Sequence, residues 1–302
     1  MSRFESGNDW QRQRTIREAV RLSGRGYLSG AEVTLEFRPA AEHSGIAFVR
    51  TDLPGSPAVP ATIGHVVPRQ RRTAIACGDA VIEMVEHVMA ALAGLAIDNC
   101  VIAIDGPETP GCDGSSLDFV KALRRTEIVV QRPLAQVIEV DRELTLTDGA
   151  MSISIGSADG AGFSIDYELN YPNAPVIGRQ RRVFELRAGS FEQELAPART
   201  FVLDHEAEML KAAGIGRHCT TQDLVIFGPE GPIENTLRFP DEPVRHKMLD
   251  VLGDLSLAGK RIQGRVTANR SGHSLNAALV RRMLEAALSN SADAGSSGRI
   301  GA

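Results

Sequence analysis

Cysteine is scarce in this 302-residue chain: Cys77, Cys100, Cys112 and Cys219 are its four, and none forms a CxxC pair. That excludes a disulfide framework and a structural zinc site built on paired thiolates. Aromatic residues make up only 5%, and there is no basic excess, since 33 Lys+Arg face 38 Asp+Glu for a formal charge of −5. A nucleic-acid partner calls for a basic footprint, so none is expected. Long apolar runs are missing too. The longest, residues 88–97, contains Gly94 and is too short for a transmembrane segment. The N-terminus is polar, without the apolar stretch of a secretory signal, so a cytoplasmic protein is expected. Walker A, GxSxG and HExxH motifs are absent, and the glycines of residues 24–30 are spaced GxGxxxG, which suits a hairpin and not a dinucleotide fingerprint.

What is present is an ordinary globular composition, 43% hydrophobic and 24% charged, long enough for about two domains. Val33, Leu35 and Phe37 alternate with polar residues, as do Met151, Ile153 and Ile155, and Phe163, Ile165 and Tyr167, so strands are expected there. Each half then closes alike. Residues 84–95 and 115–125 read as helices around a strand at 100–104, and residues 244–258 and 272–288 as helices around a strand at 262–268. The expectation is an α+β fold of two similar domains, each a layered sheet plus helices, related by internal duplication, with the active site in the cleft between them. The boundaries read as a tail at 1–14, domain I at 15–132, domain II at 133–288 and a Gly/Ser-rich tail at 289–302. The basic runs at 69–72 and 179–182 read as solvated loop charge.

Three segments could carry chemistry. On a helical wheel, His246, Lys247, Asp250 and Asp254 share one arc of roughly 100°, opposite Val244, Met248, Val251, Leu252 and Leu255. His246 and Asp250 stand one turn apart, so both side chains can reach one metal ion. At the matching place in the first half, Glu86 directly precedes His87. Two histidines, one carboxylate and an open fourth position make the ligand pattern of catalytic zinc, with Glu86 left free to take a proton. His273 opens the last helix, where a carboxylate such as Asp254 would favour its protonated form. Taken singly, each segment reads as well as a solvated face, an ion pair or an exposed turn.

Val85-Glu86-His87 with Ala90 to Gly94 and Asp98-Asn99, Asp113-Gly114-Ser115, Ala198-Arg199-Thr200-Phe201, Arg245 to Asp250 with Gly253-Asp254-Leu255, and Ser271-Gly272-His273 follow one another in a familiar order. Together they resemble the UDP-3-O-acyl-N-acetylglucosamine deacetylase family. The resemblance implies zinc-dependent hydrolysis of the N-acetyl amide of UDP-3-O-acyl-N-acetylglucosamine in lipid A biosynthesis, by a cytoplasmic monomer acting on a nucleotide-sugar lipid. It implies His87, His246 and Asp250 as zinc ligands, a set that also accepts Fe(II). It further implies Glu86 as general base, His273 as general acid oriented by Asp254, Thr200 as oxyanion helper, Lys247 as substrate-binding cation and Phe201 as a sugar contact, with an acyl-passage insert in domain II. The chain departs from the family pattern at Tyr27 and Leu28 where Leu and His are usual, at Met84, at Tyr171, and at residues 217–223. Those departures leave acyl-chain preference open, along with two other readings: a paralogue cleaving another acylated amino sugar, and a non-catalytic zinc-binding relative.

Overall fold

The computed structural model describes residues 11–158 and 162–296. Alternating apolar residues bury one face of each strand, as a period of two requires. Val33, Leu35 and Phe37 are buried in Glu32–Pro39, and Ile153 and Ile155 in Met151–Gly156. These strands belong to two sheets of one design. The first runs Val20–Arg25, Glu32–Pro39, Cys100–Ile104, Ile46–Arg50 and Ala58–Pro60; the second runs Leu144–Asp148, Met151–Gly156, Arg261–Asn269, Phe163–Tyr171 and Gly178–Glu185. Along both, the third and fourth strands are parallel and the other neighbours antiparallel. The chain is therefore α+β, and its two halves share strand order and sense.

Six α-helices occur among the described residues: α1 Glu86–Gly94, α2 Leu117–Leu123, α3 Ser190–Glu194, α4 Asp204–Ala212, α5 Glu242–Ser256 and α6 His273–Ser296. No described helix is long and apolar enough to cross a membrane. In each half a helix leads into the third strand of the sheet: α1 precedes Cys100–Ile104, and α5 precedes Arg261–Asn269. Both are core helices. Every residue of α1 except Ala93 is buried, and all of α5 is buried but Lys247 and Ser256. Pro243 lies in the first turn of α5, where its missing N–H leaves no bond unmade.

The two helices pack on each other without an intervening side chain. A Cβ added at Gly253 would stand 2.1 Å from the Glu86 carbonyl oxygen, so only glycine lets the backbones approach this closely. The seam between the halves is stitched elsewhere. Arg261 of the second half donates to Asp98 of the first at 2.8 and 2.7 Å, and Asp98 also accepts the Arg14 N–H at 2.8 Å from the strand Arg12–Ile16, which pairs antiparallel with Ile128–Leu134 at the end of the first half.

Several elements differ from the sequence expectation. The first helix begins at Glu86 and not at 84, because Met84 holds a left-handed φ of 62° and its carbonyl accepts the Thr109 hydroxyl at 2.6 Å. Residues 12–14, expected as tail, form strand, and α6 continues through 289–296; residues 1–10 and 297–302 of the expected tails lie outside the described residues. The run 179–182 is strand and not loop. Its arginines reach Asp166 and Glu168 across the ladder, and Asp241 and Glu194 beyond it. In the run 69–72, Arg69 and Arg72 hold Glu83, and Arg71 holds Glu206.

The helix contact makes a direct prediction. Gly253→Ala should destabilise the protein by about 1–3 kcal/mol, the usual cost of overpacking, read as a lower urea midpoint. An unchanged midpoint would mean that α1 and α5 are not in backbone contact.

Candidate metal centre

His87 projects from the first turn of α1, and His246 and Asp250 stand one turn apart on α5. All three are buried, and their ligating atoms lie within 4.8 Å of one another. The two imidazole rings meet edge to face at 5.1 Å. Asp250 uses its oxygens unequally. Oδ2 accepts the Lys247 ammonium at 2.7 Å. Oδ1 is buried with no hydrogen bond among the described residues, 3.7 Å from His87 Nε2 and 3.4 Å from His246 Nε2.

That orphaned oxygen tests whether a metal fits. A buried acceptor left unpaired costs about 1–3 kcal/mol, more when it is charged, and this oxygen faces two imidazole nitrogens with a hydrogen bond to neither. A divalent cation satisfies all three atoms at once. The protonation states suit this. His246 Nδ1 lies 3.1 Å from the Ala198 carbonyl, which places the ring proton on Nδ1 and leaves the Nε2 lone pair free. Burial lowers the His246 pKa to about 3, so the ring is neutral. Burial would raise Asp250, but its surroundings, the Lys247 ammonium on Oδ2 among them, outweigh that and hold the carboxyl well below its usual range. Lys247 is likewise disfavoured by burial yet raised above the ordinary lysine value by Asp250.

A second buried cluster adjoins the first. Glu86, next to His87 in the chain, accepts the Thr73 N–H at 3.1 Å, and burial raises its pKa. Asp254, one turn beyond Asp250 on α5, accepts the Thr73 hydroxyl at 2.5 Å and the Asn276 amide at 2.8 Å. It also lies 2.9 Å from His273 Nδ1, at the start of α6. Burial alone would depress His273, but the Asp254 carboxylate outweighs it and raises the imidazole to about 9. With Nδ1 turned to Asp254, His273 Nε2 is left to serve a substrate.

The remaining residues singled out in the sequence fall nearby. The Phe201 ring stands edge-on to His246 at 6.4 Å and also meets Tyr171 at 5.7 Å. Thr200, half-buried, is anchored through its backbone to Gly114 at 2.7 Å and Val225 at 2.9 Å. Two members of the cluster escaped the sequence reading. Asn276 carried a legible signal, since it lies three residues past His273 on one helical face. Thr73 carried none: its partners Glu86, Asp254 and His273 are 13, 181 and 200 residues away.

Comparison with known proteins bears on this arrangement. The family model for UDP-3-O-acyl N-acetylglycosamine deacetylase matches residues 13–285. Proteins named UDP-3-O-acyl-N-acetylglucosamine deacetylase are similar over nearly the whole chain. The one from Chlamydia abortus is 40% identical over 275 residues, covering 90% of this chain and 97% of its own. That from an Anaeromyxobacter species is 40% identical over 278 residues, covering 90% and 88%, and that from a Nostoc species 37% over 286 residues, covering 92% and 100%.

The donor set predicts one tight divalent-cation site. Equilibrium dialysis against zinc should give a single bound ion in the unaltered protein. Asp250→Ala and His246→Ala should each weaken binding at least about 10-fold, the scale at which even outer contacts count. Undiminished binding in either variant would place the ion elsewhere.

Proposed function

The chain belongs to the UDP-3-O-acyl N-acetylglycosamine deacetylase family, and from that membership we propose that it is a zinc enzyme acting through the two buried clusters. It hydrolyses the N-acetyl amide of UDP-3-O-acyl-N-acetylglucosamine, releasing acetate and the free amine, a step of lipid A biosynthesis. The observation that carries the zinc reading is the unpaired Asp250 oxygen facing two imidazole edges. His87, His246 and Asp250 would hold the ion. When bound, it supplies the Lewis acidity that makes water nucleophilic near neutral pH. Iron(II) suits the same donors. The setting we infer is the cytoplasm, with the enzyme acting as a monomer.

An amide carbonyl is a weak electrophile, so the remaining work is proton management. Glu86 accepts a proton from the attacking water as the new C–O bond forms, and its raised pKa makes it a better base than an exposed carboxylate. The Thr200 hydroxyl and the protonated His273 ring face the negative charge that develops on the carbonyl oxygen, where one donor is typically worth on the order of 3 kcal/mol. The C–N bond then breaks, and His273 gives its proton to the departing nitrogen. Asp254 keeps the imidazole charged and aimed. Lys247 serves as a substrate-binding cation and Phe201 as a wall for the sugar.

Substrate length is read from a third place. Two departures from the family pattern, Tyr27 and residues 217–223, are in contact with each other: the Tyr27 hydroxyl donates to the Asp223 carbonyl, and the Cys219 thiol to the Tyr27 carbonyl at 3.8 Å. A Cβ at Gly30 would strike the His218 ring at 2.6 Å, so this segment also lies on the hairpin. We take 217–223 as part of the insert that receives the acyl chain, altered here together with its support.

Glu86→Ala and His273→Ala should each cut acetate release from UDP-3-O-acyl-N-acetylglucosamine at least about 10²-fold with zinc retained; near-normal turnover in either removes its assigned role. The pH profile has a required sign. Activity needs Glu86 ionised and His273 protonated, so the rate rises as Glu86 loses its proton and falls as His273 loses its own. The falling limb should lie above the ordinary imidazole value of about 6.5. A falling limb at or below that value would contradict His273 as the acid.

A further inference from the structure

Thr73 occupies a place that no other residue in the site shares. It is buried, precedes the strand Ala74–Cys77, and spends both of its donors on carboxylates that the reaction uses. Its N–H goes to Glu86 Oε2 at 3.1 Å. Its hydroxyl goes to Asp254 Oδ1 at 2.5 Å and lies 3.2 Å from His273 Nδ1. Its own carbonyl accepts the Val85 N–H at 3.2 Å, which ties it to the entry of α1. One residue from the first half thus bridges the base on α1 and the acid pair on α5 and α6.

We propose that Thr73 is a positioning residue for the deacetylation, holding Asp254 in the rotamer that aims His273 while fixing the Glu86 carboxylate at the same time. The proposal deepens the functional reading above and rests on it for its kinetic consequences. The physical argument is one of donors. Asp254 is buried and takes three: the Thr73 hydroxyl on Oδ1, and the Asn276 amide and His273 Nδ1 on Oδ2. Without the hydroxyl, Oδ1 has no partner, and the carboxylate is free to turn toward whichever donor remains. A turned Asp254 mis-aims the imidazole, although substrate contacts and the metal ligands are untouched. The loss therefore belongs in kcat and not in KM.

Thr73→Val keeps the shape and the N–H and removes only the hydroxyl, whereas Thr73→Ser keeps both donors. In zinc-loaded protein, Thr73→Val should lower kcat at least about 10-fold with KM within about threefold, matching loss of a transition-state interaction. It should also displace the titration of the His273 imidazole, followed by nitrogen NMR and assigned by its absence in His273→Gln. Thr73→Ser should restore both. Should Thr73→Val fail to fold by circular dichroism, Thr73→Ala makes the same comparison with less bulk. Two results overturn the proposal: an unchanged kcat and His273 titration without the hydroxyl, or equal losses in the serine and valine variants with the titration unmoved, which would make Thr73 a packing residue only. If the unaltered enzyme releases no acetate, the functional reading fails, and the His273 titration still decides whether Thr73 positions it.

Discussion

The close crossing of α1 and α5 at Gly253 is the constraint on which the site depends. The first helix supplies Glu86 and His87, the second His246, Lys247, Asp250 and Asp254, and they lie in different halves of the chain. A metal centre built from both needs the helices closer than side-chain packing allows. Glycine at 253, set against the Glu86 carbonyl, gives that spacing. Each helix leads in the chain to a strand, Cys100–Ile104 or Arg261–Asn269, at the third place of its own sheet.

Burying so many ionisable groups is costly unless each charge has a partner. The site meets this by division of labour. Asp250 gives one oxygen to Lys247 and keeps the other unbonded, so it is neutralised enough to be buried and still able to ligate. Asp254 gives neither oxygen to a metal and spends both on Thr73, His273 and Asn276. Two aspartates one turn apart on the same helix thus differ in their surroundings, one with an oxygen left open to a metal ion and one spent on an imidazole, a threonine and an asparagine. Their donors make the difference, since residue type and helical position are alike.

Much of this was legible in the sequence, and what was missed has physical causes. The strand at 100–104 and the helices near 86 and 246 are strong periodic or continuous apolar patterns, and the structure follows them closely. The i, i+4 placement of His246 and Asp250 was readable because helical geometry is local. Thr73 was not, because its meaning lies in bonds to residues up to 200 positions away. The run 179–182 misled because charge was read as loop, whereas these arginines, exposed at Arg179 and Arg181, sit on a strand whose neighbour presents Asp166 and Glu168. The end of α6 was misjudged from composition. Extending an existing helix needs no new nucleus, so a polar, small-residue segment can continue one that packing has already started.

Anomalous diffraction at the zinc edge, from crystals of the zinc-loaded protein, tests the central claim most directly. The account predicts a single strong peak enclosed by His87 Nε2, His246 Nε2 and Asp250 Oδ1, with Asp254 outside its coordination. A peak ligated by Asp254 or His273 in place of Asp250, or no peak between α1 and α5, would contradict it.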